Sequence, residues 1–136
     1  MVTPLNNRKV LGLKGSDCKK FLQSLISNDI NLIDDGLVYS ALLTPQGKYI
    51  ADFFVVPLED AFGIDVHADL AQTLLERFNI YKLRSDVEIK ELEVTVALGL
   101  TDPPEGAFTD PRHPKLGWRL YSIDAEKFNQ PSTWTK

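Results

Sequence analysis

A chain of 136 residues, 43% of them hydrophobic and 25% charged, has the make-up of one folded domain and not of a disordered segment. Fifteen Lys and Arg against 19 Asp and Glu give a net charge of −4, which disfavours general nucleic-acid binding. The single cysteine, Cys18, excludes an internal disulfide and a multi-cysteine metal cage, and no apolar run of about 18 residues is present to span a membrane.

The polar, basic N-terminal stretch does not read as a targeting segment. Lys9 to Lys14 reads as a strand through Val10, Leu11 and Leu13. Ser16 or Asp17 offers an N-cap oxygen for a helix over Asp17 to Ile26, whose apolar face is Phe21, Leu22, Leu25 and Ile26. Ser27-Asn28-Asp29 and Asp34-Asp35-Gly36 are turn signals. Leu37 to Leu43 and Tyr49 to Val56 form a hairpin around Thr44-Pro45-Gln46-Gly47-Lys48, where Gly47 takes a positive φ. Pro57 is expected to interrupt pairing, Glu59-Asp60 to turn, and Phe62 to Val66 to return as a third strand. The second helix is expected over Ala68 to Phe78, with Asp69 in its first turn and Arg77 in its last, both suited to the helix dipole. Val87 to Leu100 reads as one or two strands, Thr101 to Pro114 as a proline-rich loop, and Trp118 to Ile123 as a last strand. The order β-α-β-β-β-α-β is an α+β pattern, best matched by a ferredoxin-like split βαβ with added strands and a mostly antiparallel sheet. Residues 1–122 form the domain and 123–136 a polar tail.

Catalytic chemistry is sparse. His67 and His113 read as surface turn histidines, and no His or Cys spacing builds a metal cage. Cys18 falls in a first helical turn, where amide dipoles lower a thiol pKa, yet an inert helical cysteine fits the same position. Asp52 stands inside an apolar strand. Facing inward it needs a partner, which a ligand could supply; facing outward it is an ordinary solvated residue. Tyr81-Lys82-Leu83-Arg84 offers a ring for stacking and a fork for a carboxylate, or simply a helix exit with a solvated arginine. Asp110-Pro111-Arg112 reads as a rigid turn with a surface ion pair.

Five segments stand in a recognisable order: Phe21-Leu22-Gln23-x-Leu25-x-Ser27-Asn28-Asp29, Tyr39-x-Ala41-Leu42-Leu43-Thr44-Pro45-Gln46-Gly47-Lys48, Ile50-Ala51-Asp52-Phe53, Tyr81-Lys82-Leu83-Arg84, and Asp110-Pro111-Arg112 with Leu116-Gly117-Trp118-Arg119. In this the chain resembles the N-terminal half of the YgfZ-like folate-binding family, relatives of the glycine-cleavage T-protein. The resemblance runs to about Ser122. It implies a T-protein-like folate-binding module with tetrahydrofolate against the sheet. Asp52 then lies at the folate nitrogens, Tyr81 and Arg84 at the ligand with Arg84 towards its glutamate tail, and Asn28 and Gln46 at the channel mouth.

The resemblance further implies iron–sulfur assembly factors or client enzymes as partners, an indirect effect on tRNA modification, and no turnover. No direct nucleic-acid or membrane partner is expected. The compartment is the cytoplasm, or the mitochondrial matrix in a eukaryote. The alternatives are a T-protein-type aminomethyltransferase and a plain α+β interaction module. The family's Lys-Gly-Cys-Tyr-x-Gly-Gln-Glu stretch does not occur in these residues, and tetrahydrofolate is expected to bind this half weakly or not at all. Such a shortened relative is expected to expose an apolar face and to self-associate through it.

Overall fold

The computed structural model of the protein describes residues 2–5, 7–58, 61–100, 106–112 and 116–123. Strands β2 (Arg8–Lys14), β3 (Val38–Leu43), β4 (Tyr49–Leu58), β5 (Ala61–His67) and β6 (Glu88–Leu92) form a five-stranded sheet in the order β3-β4-β5-β2-β6. Every neighbouring pair is antiparallel. Helix α1 (Cys18–Leu25) and a 3-10 turn over Ile30–Asp35 connect β2 to β3, and helix α2 (Ala68–Lys82) connects β5 to β6. β2 and β4 therefore run parallel with β5 between them, which is the split βαβ arrangement, and β3 is the added edge strand. Strands β1 (Val2–Leu5), β7 (Val94–Gly99), β8 (Phe108–Thr109) and β9 (Trp118–Ile123) form a second antiparallel sheet, ordered β1-β7-β9-β8. The fold is α+β, as the sequence implied.

Period-two alternation sorts the central sheet into two faces. Leu11, Leu13, Val38, Leu42, Phe53, Val55, Ile64 and Val66 face the helices and meet Leu22, Leu74 and Phe78. Phe78 meets Phe21 and Phe53 edge-on, with ring centroids 5.8 and 6.4 Å apart. Phe53, Leu74 and Phe78 are fully buried, and each such side chain contributes about 1.5–3 kcal/mol. The opposite face carries Phe54 and Val56, which pack with Leu37, Phe108 and Tyr121. On the same side Val10, Ala61 and Leu92 pack with Val96. The second sheet is therefore a cover on the helix-free face. Gly99 permits one close approach within it: a Cβ there would lie 2.0 Å from the Trp118 indole.

Several elements depart from their sequence reading. Pro57 stays within β4, opposite Phe62, so pairing runs through it. Helix α2 continues to Lys82, so the basic residue of its last turn is Lys82 and not Arg77, and Tyr81 lies inside the helix. Asp17 occupies the N-cap position of α1 without capping it. Its carboxylate accepts from the Asp86 N–H at 2.7 Å instead, while the Ser16 hydroxyl donates to the Asp86 carboxylate at 2.7 Å. Both candidate caps thus anchor the approach to β6. The loop expected after Leu100 contains β8. Gly47 adopts the expected positive φ, at 85°. The Glu59-Asp60 turn, His113 and residues 124–136 lie outside the described residues.

Candidate functional site

Asp52 lies on the helix-free face, on the same side of β4 as Phe54, opposite Ala41 of β3. It stands towards the hairpin end of that face and is half-buried. Two phenols hold it. Tyr39 donates to one carboxylate oxygen, and Tyr49 donates to the other at 2.5 Å. The Tyr49 hydroxyl also accepts from the Asp52 N–H at 3.0 Å. These hydrogen bonds, Tyr39's first, hold the Asp52 carboxyl below its ordinary pKa. The same bonds to Asp52 push both phenols up. Asp52 is thus an ionised acceptor with organised donors on two sides.

Behind Tyr39 lies a layer of rings and charges. Tyr39 and Phe54 are tilted against each other with centroids 5.2 Å apart. The Arg112 guanidinium sits 5.4 Å from the Tyr39 centroid and 5.0 Å from that of Phe54. Asp110 grips Arg112 through Nε at 3.0 Å and a terminal nitrogen at 2.7 Å, and accepts the Arg112 N–H at 2.9 Å. Burial pushes the Asp110 carboxyl up, but its bonds from Arg112 outweigh that and leave it lowered. Asp110 is buried, so the simple surface pair expected from the sequence is in fact half inside the protein.

Deeper still, Asp65 is fully buried and ties the two sheets together. Arg8 donates to it at 2.7 Å, Arg119 at 3.1 and 2.7 Å, and the Tyr121 hydroxyl at 2.5 Å. Arg119 also lies 4.4 Å from the Phe54 centroid. Burial and the Asp65 charge push the Tyr121 phenol up.

The sequence-derived candidates separate into two groups. Asn28 runs beside β3, its amide donating to the Tyr39 carbonyl at 3.0 Å, so it lies near Asp52. Gln46 is exposed at the tip of the β3–β4 turn, at the same end of the sheet. Tyr81 instead packs against the helix-side core. Arg84 is exposed and lines a shallow concavity of about 260 Å³ formed by residues 82–88. That concavity adjoins Asp86, where β2 ends; Asp52 lies level with the start of β2, through Phe53, Val66 and Lys9. Tyr81 is therefore on the other face of the sheet from Asp52, and Arg84 is at the other end of it. The rings at Asp52 are Tyr39 and Tyr49, and the nearby guanidinium is Arg112. Strand alternation could have found Tyr39, which lies two residues before Ala41, the residue opposite Asp52.

Cys18 is buried, and burial pushes its thiol up to about 12, the reverse of the dipole effect considered from the sequence. The His67 ring caps α2 by accepting the Asp69 N–H at 3.1 Å. Among the described residues, no cluster of His, Cys, Asp and Glu is arranged to hold a metal ion, and no helix is long and apolar enough to cross a membrane.

No protein-family model matches the chain. It is 35% identical over 100 residues to "Iron-sulfur cluster assembly factor IBA57 homolog, mitochondrial" of Neurospora crassa, a match covering 68% of this chain and 23% of that protein. It is 32% identical over 139 residues to the protein of the same description from Pyricularia oryzae, covering 87% of this chain and 34% of that one. The chain is a relative of the IBA57 assembly factors. The resemblance carried by the five motifs therefore holds, although the chain spans only about a quarter to a third of these relatives' length. Among solved structures it is similar to the glycine cleavage system aminomethyltransferase T of Bartonella henselae, with a TM-score of 0.64 over 71% of this chain and 27% of that one. At 18% identity that likeness is one of fold.

Proposed function

We propose that this chain is a folate-binding module that serves iron–sulfur cluster assembly in the mitochondrial matrix, with Asp52 as its ligand acceptor. The IBA57 relatives support the assembly role and the compartment. The observation that carries the ligand reading is the grip of two tyrosines on Asp52, on a sheet face of T-protein-like fold. A carboxylate accepts about four hydrogen bonds. Two phenols occupy part of that capacity, and the remainder suits the paired N–H donors of a reduced pterin edge. The rings of Tyr39 and Tyr49 suit its flat face. Asn28 and Gln46 remain candidates at the rim, Arg84 remains the candidate for the glutamate tail, and Arg112 is the guanidinium near Asp52. Tetrahydrofolate, when bound, supplies a carrier for one-carbon units. The residues of this chain bind and orient it.

A lowered pKa makes Asp52 a good acceptor and a weak base, which favours binding over the proton transfer an aminomethyltransferase requires. The buried, high-pKa thiol of Cys18 makes it a poor cluster ligand at neutral pH, so the contribution of this segment to assembly runs through partners. Because this half alone is expected to bind tetrahydrofolate weakly or not at all, calorimetric titration of the full-length protein with tetrahydrofolate, parent against Asp52→Asn, tests the reading. Loss of a charged hydrogen-bond acceptor is expected to weaken binding about 10- to 100-fold. Equal affinities would remove Asp52 from the site, and robust aminomethyl transfer from a lipoyl carrier would replace the accessory role with an enzymatic one.

A further inference from the structure

We infer that Arg112 is the positioning residue of the Asp52 site: clamped by Asp110, it wedges the Tyr39 ring in the orientation that places the phenol on the Asp52 carboxylate. The inference rests on the reading of Asp52 as the ligand acceptor, but its geometry is independent of which ligand binds.

The guanidinium and the rings of Tyr39 and Phe54 form a nearly equilateral triangle, with separations of 5.4, 5.0 and 5.2 Å. The cation thus contacts both rings that border Asp52 on the covered side. Its own orientation is fixed by the two-point fork from Asp110 and by the bond from the Arg112 backbone to the same carboxylate. Asp110 is in turn anchored by its N–H on the Gly117 carbonyl at 2.9 Å, next to β9. A continuous chain of contacts therefore runs from the second sheet through Asp110, Arg112 and Tyr39 to Asp52. A lysine would keep the charge and lose both the fork and the flat stacking surface.

The charged and titratable groups that act on Tyr39 are Asp52 and Tyr49 from β4 and Arg112 from the turn after β8. They pull in opposite senses. The bond to Asp52 raises the phenol, and the Arg112 charge lowers it. Arg112 acting only as a charge would therefore let the Tyr39 titration midpoint rise when it is removed. Arg112 acting as a wedge would let the ring leave Asp52, and the midpoint would fall towards that of a free tyrosine.

The experiment is an NMR titration of ring-labelled tyrosine in the protein, with Tyr39 assigned through Tyr39→Phe. Arg112→Gln is compared with the parent. Because that variant leaves Asp110 buried and unpaired, the double variant Asp110→Asn/Arg112→Gln is measured beside it. In both, the Tyr39 midpoint is expected to fall and tetrahydrofolate affinity to drop roughly two- to tenfold. Arg112→Lys is expected to behave like Arg112→Gln. A midpoint that rises or stays in place in a folded variant would overturn the inference. Failure of the full-length parent to bind tetrahydrofolate would instead overturn the ligand reading, while the Tyr39 titration would still decide the role of Arg112.

Discussion

Asp52 is a charged residue whose two oxygens are matched by phenols from its own strand and from its neighbour. That pairing makes a definite statement about pH. The carboxyl is held below its ordinary value, so its contribution to stability is present above the unfolded carboxyl pKa of about 3.9 and fades as pH falls through the lower folded value. Tyr39 and Tyr49 are raised, so the same bonds contribute below about pH 10 and weaken as pH rises through the folded values. Thermal melts across pH are therefore expected to separate parent from Asp52→Asn most between about pH 5 and 9, and to converge in acid. The odd placement of Asp52 was visible in the sequence, because an acidic residue interrupts Ile50, Ala51, Phe53 and Phe54. Its phenolic partners needed the hairpin register, and the register needs the turn geometry. Tyr81 and Arg84 came from the motif resemblance, and chain order carries no information about which end of a sheet a helix returns to.

At the scale of elements, the alternation and capping signals placed both main helices and the strands of the central sheet within a few residues. What they missed is instructive. Pro57 lies in β4 close to the β4–β5 turn, where the loss of one donor is tolerated. Helix α2 extends a turn beyond Phe78 because Tyr81 still reaches the core and Lys82 donates to the Val87 carbonyl at 3.3 Å. It ends at Leu83, a non-glycine residue with φ of 41° that is 82% exposed. That backbone is costly for a residue with a Cβ, and the side chain repays little. Leu83→Gly is expected to stabilise the protein by about 0.5–1 kcal/mol, read as a melting temperature higher by a few degrees.

For the whole molecule, the decisive feature is the second sheet, whose strands come from both ends of the described chain. Sequence periodicity found β7 and β9 but gave no sign that they would cover the helix-free face, so nothing in the sequence singled out Asp65. The cover turns it into a buried carboxylate shared by Arg8, Arg119 and Tyr121. Removing its charge strands two arginines, and Asp65→Asn is expected to cost about 3–5 kcal/mol in denaturant unfolding. Loss of well under 1 kcal/mol would mean that the apolar packing of Phe54, Val56, Phe108 and Tyr121 holds the sheets together unaided.

The wedge behind Tyr39 also has a temporal side. Tyr39 and Asp52 are synthesised well before Arg112, and Arg119 follows later still. The residues of the hairpin are all made by then, yet Phe54 stays bare until β8 and β9 arrive to roof it. Synthesis thus delivers the acceptor early and its backing late, and a chain halted before residue 112 would display the tyrosine pincer with nothing to brace it.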